Sequence, residues 1–330
     1  MLAIDVGFGR TKGMDGKQTI EIPSLISDFR ELSFSGLDNK GETEKLAVSY
    51  NGRRYFVGDL AKRQGVPRST LSPDRTIQDE GMVLLLTAMT LLSDNHSKLV
   101  VGLPVNDFER LRSQYRQVLK GQHKIQRLNL SGSVQKEHKF DIQEIKVLPQ
   151  PYGAFLNQLL SDAGEINKNW YCSVGVIDIG HYTVDLAKII EMDYIDQDSI
   201  SFSDIGVSSV FSYLTKAIHQ SHGVQILPEN IETVVKRGKI KNQGKEVGVH
   251  HTVQSAIEST ANLIVNRAQN TWQNFSDLDR ILVTGGGSAI MGRTLQKLIP
   301  HQQVEVCESA THGNIKGFRK FAKKTWGGKR

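Results

Sequence analysis

LAIDVGFGRTK at residues 2–12 and VIDIGHYTVD at residues 176–185 are the two stretches of this 330-residue chain that decide its fold. Each opens with a short apolar run, which predicts a buried strand, and each strand delivers an aspartate, Asp5 or Asp178, into a glycine turn. Because the two aspartates stand half a chain apart, the sequence indicates a diverged internal duplication. The chain also exceeds the length of most single cores, so two related α/β domains with a ligand cleft between them are predicted.

A strand that ends in an aspartate and a glycine turn places a carboxylate beside unhindered backbone N–H groups. The N–H groups can hold phosphate, and the carboxylates of Asp5 and Asp178 can hold hydrated Mg²⁺. Lys12, on the returning strand, could direct its ammonium at a β- or γ-phosphate, unless it is an ordinary surface lysine. Thr183 and Asp185 could add donors and outer-shell metal contacts, or be plain turn and strand residues.

A third glycine turn, at residues 285–287, follows a predicted strand and precedes a helix predicted to start near Ser288. Such a turn lets the backbone approach a ligand closely. A Walker motif and a Rossmann fingerprint are absent from the sequence, which argues against P-loop and dinucleotide-binding proteins. His250 and His251 are adjacent and cannot share a helix face, so they are expected at the surface and not on a metal.

The composition, with 38% hydrophobic and 23% charged residues, is typical of a soluble globular protein. No apolar run reaches the roughly 18 residues of a membrane span, and the first residues lack a secretory pattern, so we expect a cytoplasmic protein without a membrane span. The net charge of +6 favours acidic partners such as nucleotide, nucleic acid or an anionic surface. Cys172 and Cys307 lack CxxC spacing and are expected to be small buried hydrophobes.

The remaining segments follow the order expected of α/β units. Apolar residues recur at helical spacing from Ile315 to Trp326, which predicts a helix docked on the first domain with its lysines outward. Helices are predicted over residues 83–92, 107–119, 155–160 and 252–272, and strands over residues 98–104, 142–148 and 280–284.

Five segments, in order, resemble the actin, sugar-kinase and heat-shock-chaperone ATPase superfamily. They resemble the phosphate-1 loop (residues 5–12), connect-1 (147–154), phosphate-2 (176–185), the adenosine motif (282–288) and connect-2 (310–317). Within that superfamily the short length and the segments 55–59 and 314–318 are similar to bacterial plasmid-segregation actins of the ParM type and to archaeal actin-like proteins.

The resemblance implies an α/β fold with two RNase H-like (actin-fold) domains around a central nucleotide cleft. Domain I would span residues 1–155, with the C-terminal helix of about residues 312–330 packing back on it, and domain II residues 156–311. The cleft would bind ATP (or GTP) with Mg²⁺. The protein would be an ATPase that polymerises with itself into filaments, coupled to plasmid centromere DNA through a DNA-binding adaptor protein.

The resemblance also assigns roles to residues. Gln150 would position the attacking water and act with Asp178 in catalysis, while Asp5 and Asp178 would hold the metal. The nucleotide would contact Gly7, Phe8, Gly9, Thr11, Lys12, Gly180, His181, Tyr182, Thr183, Gly285, Gly286 and Gly287. Phe8 stands where many relatives have Ser, so backbone N–H groups must contact the γ-phosphate there. Gln150 stands where plasmid actins often have Glu. The first turn would chiefly hold phosphates, and the second turn, which follows Gln150, would serve metal and hydrolysis.

Two alternatives stay open. A small-molecule phosphotransferase of the same superfamily would need a general base near residues 102–104, where Asp107 is the one candidate and helix N-capping explains it more simply. A nucleotide-binding assembly scaffold would bind nucleotide without turnover. Its membrane-associated form would need an anchor, for which the C-terminal helix is the candidate segment.

Overall fold

The computed structural model describes residues 1–32, 41–68, 73–92, 97–307 and 310–327. The chain forms two compact units, unit 1 (Met1–Tyr171 with His312–Arg330) and unit 2 (Cys172–Thr311). The first boundary falls later than the expected residue 155, because that position lies inside a helix, Gln150–Leu159, that packs within unit 1. The last residues of the expected C-terminal helix, 328–330, lie outside the described residues.

The elements are numbered in chain order. The strands are β1 (Leu2–Val6), β2 (Arg10–Met14), β3 (Thr19–Pro23), β4 (Ile26–Asp28), β5 (Ala47–Tyr50), β6 (Arg53–Val57), β7 (Lys98–Leu103), β8 (Gly121–Leu128), β9 (Val134–Ile142), β10 (Glu144–Pro149), β11 (Ser173–Ile179), β12 (Val184–Ile190), β13 (Asp193–Phe202), β14 (Lys239–Asn242), β15 (Lys245–Gly248), β16 (Arg280–Thr284) and β17 (Val304–Val306). The α-helices are α1 (Asp59–Gln64), α2 (Asp79–Thr90), α3 (Val105–Leu119), α4 (Gln150–Leu159), α5 (Val207–His222), α6 (Ile231–Arg237), α7 (His250–Thr271), α8 (Ser288–Leu298) and α9 (Gly313–Trp326).

Each unit contains a mixed five-stranded sheet with the same strand arrangement. Read in the same direction, the order is β10-β7-β1-β2-β3 in unit 1 and β17-β16-β11-β12-β13 in unit 2. In both, the central strand continues into an antiparallel meander on one side and pairs parallel with a later strand on the other. The two α/β domains are therefore related in topology, as the duplicated sequence pattern predicts. Unit 1 adds an antiparallel sheet, β4-β6-β5-β8-β9, and unit 2 a small hairpin of β14 and β15.

The central strands are apolar because both of their faces are covered. All five residues of β1 are buried, and α2, which carries buried residues on every side, lies in the core of unit 1. In unit 2 the core gathers around β11, β16, α5 and α7. Among the described helices, none has the length and apolar character to cross a bilayer.

Helix α9 packs in unit 1 along α4 and across β1 and β7. Phe318 and Ala322 are fully buried beside Ala3 and Val100. The contact with α4 is very close: a Cβ atom at Gly317 would lie 1.7 Å from the Gly153 carbonyl oxygen. The segments at residues 147–154 and 310–317 therefore contact each other through Gly153 and Gly317.

Three lysines of α9 make hydrogen bonds within unit 1. Lys320, Lys323 and Lys324 donate to the backbone carbonyls of residues 157, 162 and 164, which follow along and beyond α4. Two of the three ammonium-bearing side chains, Lys323 and Lys324, are nevertheless largely exposed, so the predicted outward direction holds for them.

Two expectations about single residues are wrong. Asp107 does not cap α3, because the helix begins after Pro104 and the Asp107 carboxylate, already inside the first turn, accepts from Arg110 Nη2 at 2.9 Å. Cys172 is only half-buried, whereas Cys307 is buried as expected. His250 and His251 are exposed, in agreement with the sequence.

Candidate functional site

The first glycine turn joins β1 to β2 in unit 1. Asp5 lies opposite Lys12 in the antiparallel pair, and the Gly7 N–H closes the turn by donating to the Arg10 carbonyl at 3.1 Å. A Cβ atom at Gly7 would lie 3.0 Å from that oxygen, so a larger residue would crowd the turn. Directly opposite residues of an antiparallel pair share one face of the sheet, so Asp5 and Lys12 extend from the same face.

Asp5 is buried, and burial, which disfavours the charged form, raises the pKa of its carboxyl group. The positive charges of Lys12 and Arg75 oppose that rise. Hydrogen bonds from Gln150 and Asn314 oppose it as well, and the first of these joins Gln150 Nε2 to Asp5 Oδ1 at 2.7 Å. The carboxylate is thus surrounded by donors and cations that favour its ionised form against the cost of burial.

Gln150 lies at the first turn of unit 1. It is the first residue of α4, directly after β10, and its side-chain amide is held by Asp5. Because β10, β7 and β1 are parallel, their carboxyl ends lie at one edge of the sheet, which brings Gln150 to Asp5. The roles expected of Gln150 and of the two turns in hydrolysis stay predictions.

Thr11, on β2 beside the first turn, has its side chain engaged within unit 1. It is fully buried, and its hydroxyl shares a hydrogen bond of 2.8 Å with the hydroxyl of Ser24. Its side chain is therefore used within unit 1. Phe8, Gly9 and Lys12 are partly accessible in the turn or beside it.

Arg75 is a residue of this site that the sequence did not mark. It lies in a short 3-10 turn, Pro73–Ile77, and is 3% exposed. Its Nη2 donates to the carbonyls of Val6 (3.2 Å) and Gly7 (2.8 Å), and its guanidinium carbon lies 4.8 Å from the centroid of the Phe8 ring. Burial lowers the pKa of Arg75 to about 10, so it stays cationic at neutral pH. A lone arginine far along the chain carries no motif, and only the tertiary contact reveals it.

The second glycine turn joins β11 to β12 in unit 2 and has the same closure, with the Gly180 N–H donating to the Thr183 carbonyl at 2.8 Å. Asp178 is buried and lies opposite Asp185. The Asp185 carboxylate accepts from the Ser201 hydroxyl on β13, which makes it a structural partner of that strand. Asp178 is the aspartate of this turn that corresponds to Asp5 in the first turn.

Helix α5 begins against the second turn. The N–H groups of Val207 and Ser208 donate to the carbonyls of Gly180 (3.2 Å) and His181 (2.8 Å). The half-buried rings of His181 and Tyr182 contact each other edge to face, with centroids 4.4 Å apart. The turn is thus fixed from one side by a helix N-terminus, while Tyr182 and Thr183 remain partly accessible.

The three glycines of the third turn have different roles. Gly285 has a φ of 84°, and a Cβ atom there would lie 2.2 Å from Asp178 Oδ1. Gly287 donates its N–H to the Ile179 carbonyl at 2.8 Å, and a Cβ atom would overlap the Ile179 side chain. Gly286 is exposed, with no atom within 4 Å of a built Cβ. The structure therefore brings the third turn onto the second, and Gly286 is the glycine that is open to a ligand.

The donor set fits Mg²⁺ bound together with phosphates. Mg²⁺ usually takes one or two carboxylates and keeps its other positions for phosphate oxygens and water. Each unit offers one such carboxylate in its turn, Asp5 or Asp178. Within the described parts of the chain, no group of three or more His, Cys, Asp or Glu residues could hold a metal by itself. When bound at either turn, the ion would neutralise phosphate charge, and the aspartate of that turn would be its carboxylate ligand.

Comparisons with known proteins agree with this geometry. Residues 3–153 match the family model of the N-terminal domain of actin-like proteins, and residues 176–297 match the C-terminal domain of archaeal MreB-like actin homologues. No curated protein sequence gives a significant match.

Solved structures with the same fold cover nearly the whole chain. A 15-stranded ParM filament from Clostridium botulinum is 24% identical over 98% of both chains, with a TM-score of 0.78. An archaeal actin homologue in complex with ADP is 22% identical, covers 98% of this chain and 99% of its own, and has the same TM-score of 0.78. A Bacillus thuringiensis ParM with AMPPNP is 16% identical, covers 97% of each chain and has a TM-score of 0.69.

Two α/β units of equal sheet topology, each with a strand that carries an aspartate into a glycine turn, define the actin fold. The chain belongs to the actin-like superfamily, with an actin-like N-terminal domain and an archaeal MreB-like C-terminal domain.

Proposed function

We propose that this protein is an actin-like ATPase that binds ATP with Mg²⁺ through its two phosphate turns, hydrolyses it and polymerises into filaments. The observation that carries the proposal is the duplicated turn: one buried aspartate in each unit, each followed by a glycine whose N–H closes the turn. Filaments of this kind would move plasmid DNA through a DNA-binding adaptor protein that binds the centromere, and would act in the cytoplasm.

Each proposed role rests on a contact. Asp5 and Asp178 would hold the metal. Gln150 donates from Nε2 to Asp5 Oδ1 at 2.7 Å, and its amide would orient a water near the terminal phosphate. Phe8, Gly9 and Lys12 hold phosphates from unit 1, and Gly180, His181, Tyr182 and Thr183 hold them from unit 2. Gly286 faces the adenosine. Stabilising the charge on the phosphate falls to metal and donors, as in other phosphoryl-transfer sites.

The two alternatives have less support. A phosphotransferase would need a free general base after β7, but Asp107 is engaged by Arg110. A membrane-anchored scaffold would need α9 as its anchor, but the apolar face of α9 is buried in unit 1.

Sedimentation and electron microscopy with ATP, GTP, ADP and a non-hydrolysable ATP analogue test the proposal directly. We expect sedimenting filaments with ATP or its analogue and phosphate release that follows assembly. Asp178→Ala should abolish phosphate release in a folded protein. A chain that stays monomeric with every nucleotide, over a range of salt and protein concentration, would contradict filament formation, and undiminished release by Asp178→Ala would contradict the metal assignment.

A further inference from the structure

Arg75 is a buried cation with more donors than partners. Nη2 makes two hydrogen bonds to the first turn, whereas Nε and Nη1 are buried without a hydrogen-bond partner among the residues that the structure describes. A buried guanidinium with incomplete pairing costs stability. A replacement by an apolar side chain would avoid that cost, so the arginine calls for a functional explanation.

The contact with Gly7 fixes a backbone donor as well as an acceptor. In a trans peptide the C=O and the following N–H point in opposite directions. Arg75 Nη2 holds the Gly7 carbonyl at 2.8 Å, so the Phe8 N–H of the same peptide must point away from Arg75. Within the described chain, the Phe8 N–H donates to no backbone carbonyl. Arg75 therefore fixes the direction of a donor that is still available to a ligand.

The duplicated turn of unit 2 provides an internal comparison. Gly180 corresponds to Gly7, and Ile179 to Val6. There the Gly180 carbonyl accepts from the Val207 N–H at 3.2 Å, and the Ile179 carbonyl accepts from the Gly287 N–H at 2.8 Å. In each unit, the two equivalent carbonyls thus accept hydrogen bonds. The donors are two backbone N–H groups in unit 2 and one arginine side chain in unit 1.

The donors come from different elements in the two units. In unit 2 they are the Gly287 N–H, in the loop after β16, and the Val207 N–H, at the start of α5. In unit 1 the loop after β7 is a single residue, Pro104, that leads directly into α3. Arg75 supplies from its side chain what the backbone supplies in unit 2.

We propose that Arg75 is a positioning residue for phosphate binding: by holding the carbonyls of Val6 and Gly7 it aims the Phe8 N–H at a nucleotide phosphate. The Phe8 ring, stacked under the guanidinium, keeps the arginine in place. The buried charge also makes the turn more attractive to a polyphosphate than to a monophosphate. This inference rests on the proposed nucleotide binding.

The test compares wild type, Arg75→Met and Arg75→Lys in their equilibrium affinity for ATP and AMP. Arg75→Met should lose roughly ten- to a hundredfold in ATP affinity, the usual effect of losing hydrogen bonds to a charged group. AMP affinity should change much less. Arg75→Lys, which keeps the charge and one donor group, should fall between the other two. Arg110→Met is the matched control, because Arg110 pairs with Asp74 beside Arg75 but does not touch the turn.

A spectroscopic readout separates positioning from a general loss of structure. In protein labelled with ¹⁵N-phenylalanine, the Phe8 amide resonance, assigned by Phe8→Leu, should shift on addition of ATP in wild type and in Arg110→Met. In Arg75→Lys, the milder variant, the shift should be smaller. The other phenylalanine resonances report whether each variant is folded.

The outcomes are distinct. Failure of wild type to bind ATP would remove the proposed function, and this inference with it. Binding by wild type together with an unchanged ratio of ATP to AMP affinity in Arg75→Met and Arg75→Lys would overturn this inference alone. A Phe8 amide that does not respond to ATP in wild type would overturn it too.

Discussion

Asp5 is a single buried residue whose charge is expected to lower the stability of the folded chain. Burial raises the pKa of its carboxyl group, while Gln150, Asn314 and the cations Lys12 and Arg75 oppose that rise. Because the net shift is upward, the folded chain favours protonated Asp5. The protonated carboxyl group of Asp5 therefore contributes stability at low pH, and this contribution is lost as the pH rises through the folded-state pKa of Asp5.

Asp5→Asn is therefore expected to stabilise the nucleotide-free protein at neutral pH. The expected gain in unfolding free energy is about 0.5–2 kcal/mol, the common range for a single stabilising substitution. The gain should shrink as the pH falls towards about 4, the ordinary pKa of an aspartate. Urea unfolding of both proteins across this pH range measures the difference.

Asp15→Asn is the control, because that buried aspartate accepts from the N–H groups of Lys17 and Gln18 at 2.8 and 3.0 Å and should gain nothing from neutralisation. A loss of stability in Asp5→Asn at neutral pH would contradict the expected sign.

Adjacent glycines of the third turn should respond in opposite ways to the same substitution. Gly285→Ala places a Cβ atom 2.2 Å from Asp178 Oδ1 at a φ of 84°, which L-residues rarely adopt. We expect a loss of about 1–3 kcal/mol in unfolding free energy, together with loss of nucleotide binding. Thermal unfolding and nucleotide titration measure the two effects.

Gly286→Ala is the matched variant, since nothing lies within 4 Å of its Cβ. Its stability should stay within about 0.5 kcal/mol of wild type, as for surface substitutions. A change in affinity for adenosine nucleotides without a change in stability would support the assignment of Gly286 to the ligand. Equal destabilisation by the two alanines would contradict the different roles that the structure gives them.

At the scale of elements, the packing of α4 on α9 depends on two glycines. A Cβ atom at Gly317 would lie 1.7 Å from the Gly153 carbonyl, and one at Gly153 would lie 2.7 Å from the Asn314 carbonyl. The same two helices begin with residues that hydrogen-bond Asp5, namely Gln150 and Asn314. The distance between the helices therefore controls the surroundings of the carboxylate.

Gly317→Ala should force α9 away from α4, because a backbone carbonyl cannot move out of the way as a side chain can. Overpacking of this kind costs about 1–3 kcal/mol. Chemical denaturation should show the loss, and nucleotide affinity should fall with it as Asn314 moves. Thr325→Ala, at an exposed position of α9, is the control and should leave both quantities unchanged. Wild-type stability in Gly317→Ala would show that the helices tolerate a wider separation.

At the scale of the whole molecule, the question is whether the two turns bind the same ligand. A ligand at a hundred times its Kd stabilises a protein by about 2.7 kcal/mol. If one ATP requires both turns, Asp5→Ala and Asp178→Ala should each remove nearly all of that stabilisation. The double variant should then be no worse than either single one, because the effects of residues that act as a unit do not add.

Thermal unfolding with and without ATP and Mg²⁺ measures this non-additivity. Asp185→Asn is the control, because Asp185 is buried opposite Asp178 but is engaged by Ser201. Partial losses that add in the double variant would contradict a single shared nucleotide and would indicate two independent anion sites.

The sequence alone predicted the two α/β domains, the repeated strand–Asp–Gly turns and the strand that leads to the third glycine turn. Each of these is a local pattern: a buried central strand has to be apolar, and a tight turn has to contain glycine. For the same reason the actin-like family could be named from five short segments in order.

Only the tertiary structure decided which residues meet at the turns. Gln150 reaches Asp5 because β1, β7 and β10, distant in sequence, pair parallel and end at one edge. Arg75 reaches the first turn from a segment that carries no motif, and Gly285 differs from Gly286 through its close contacts with Asp178 and Ile179. These contacts depend on how strands and helices pack, and sequence periodicity contains no information on the partner that a side chain meets across such an interface.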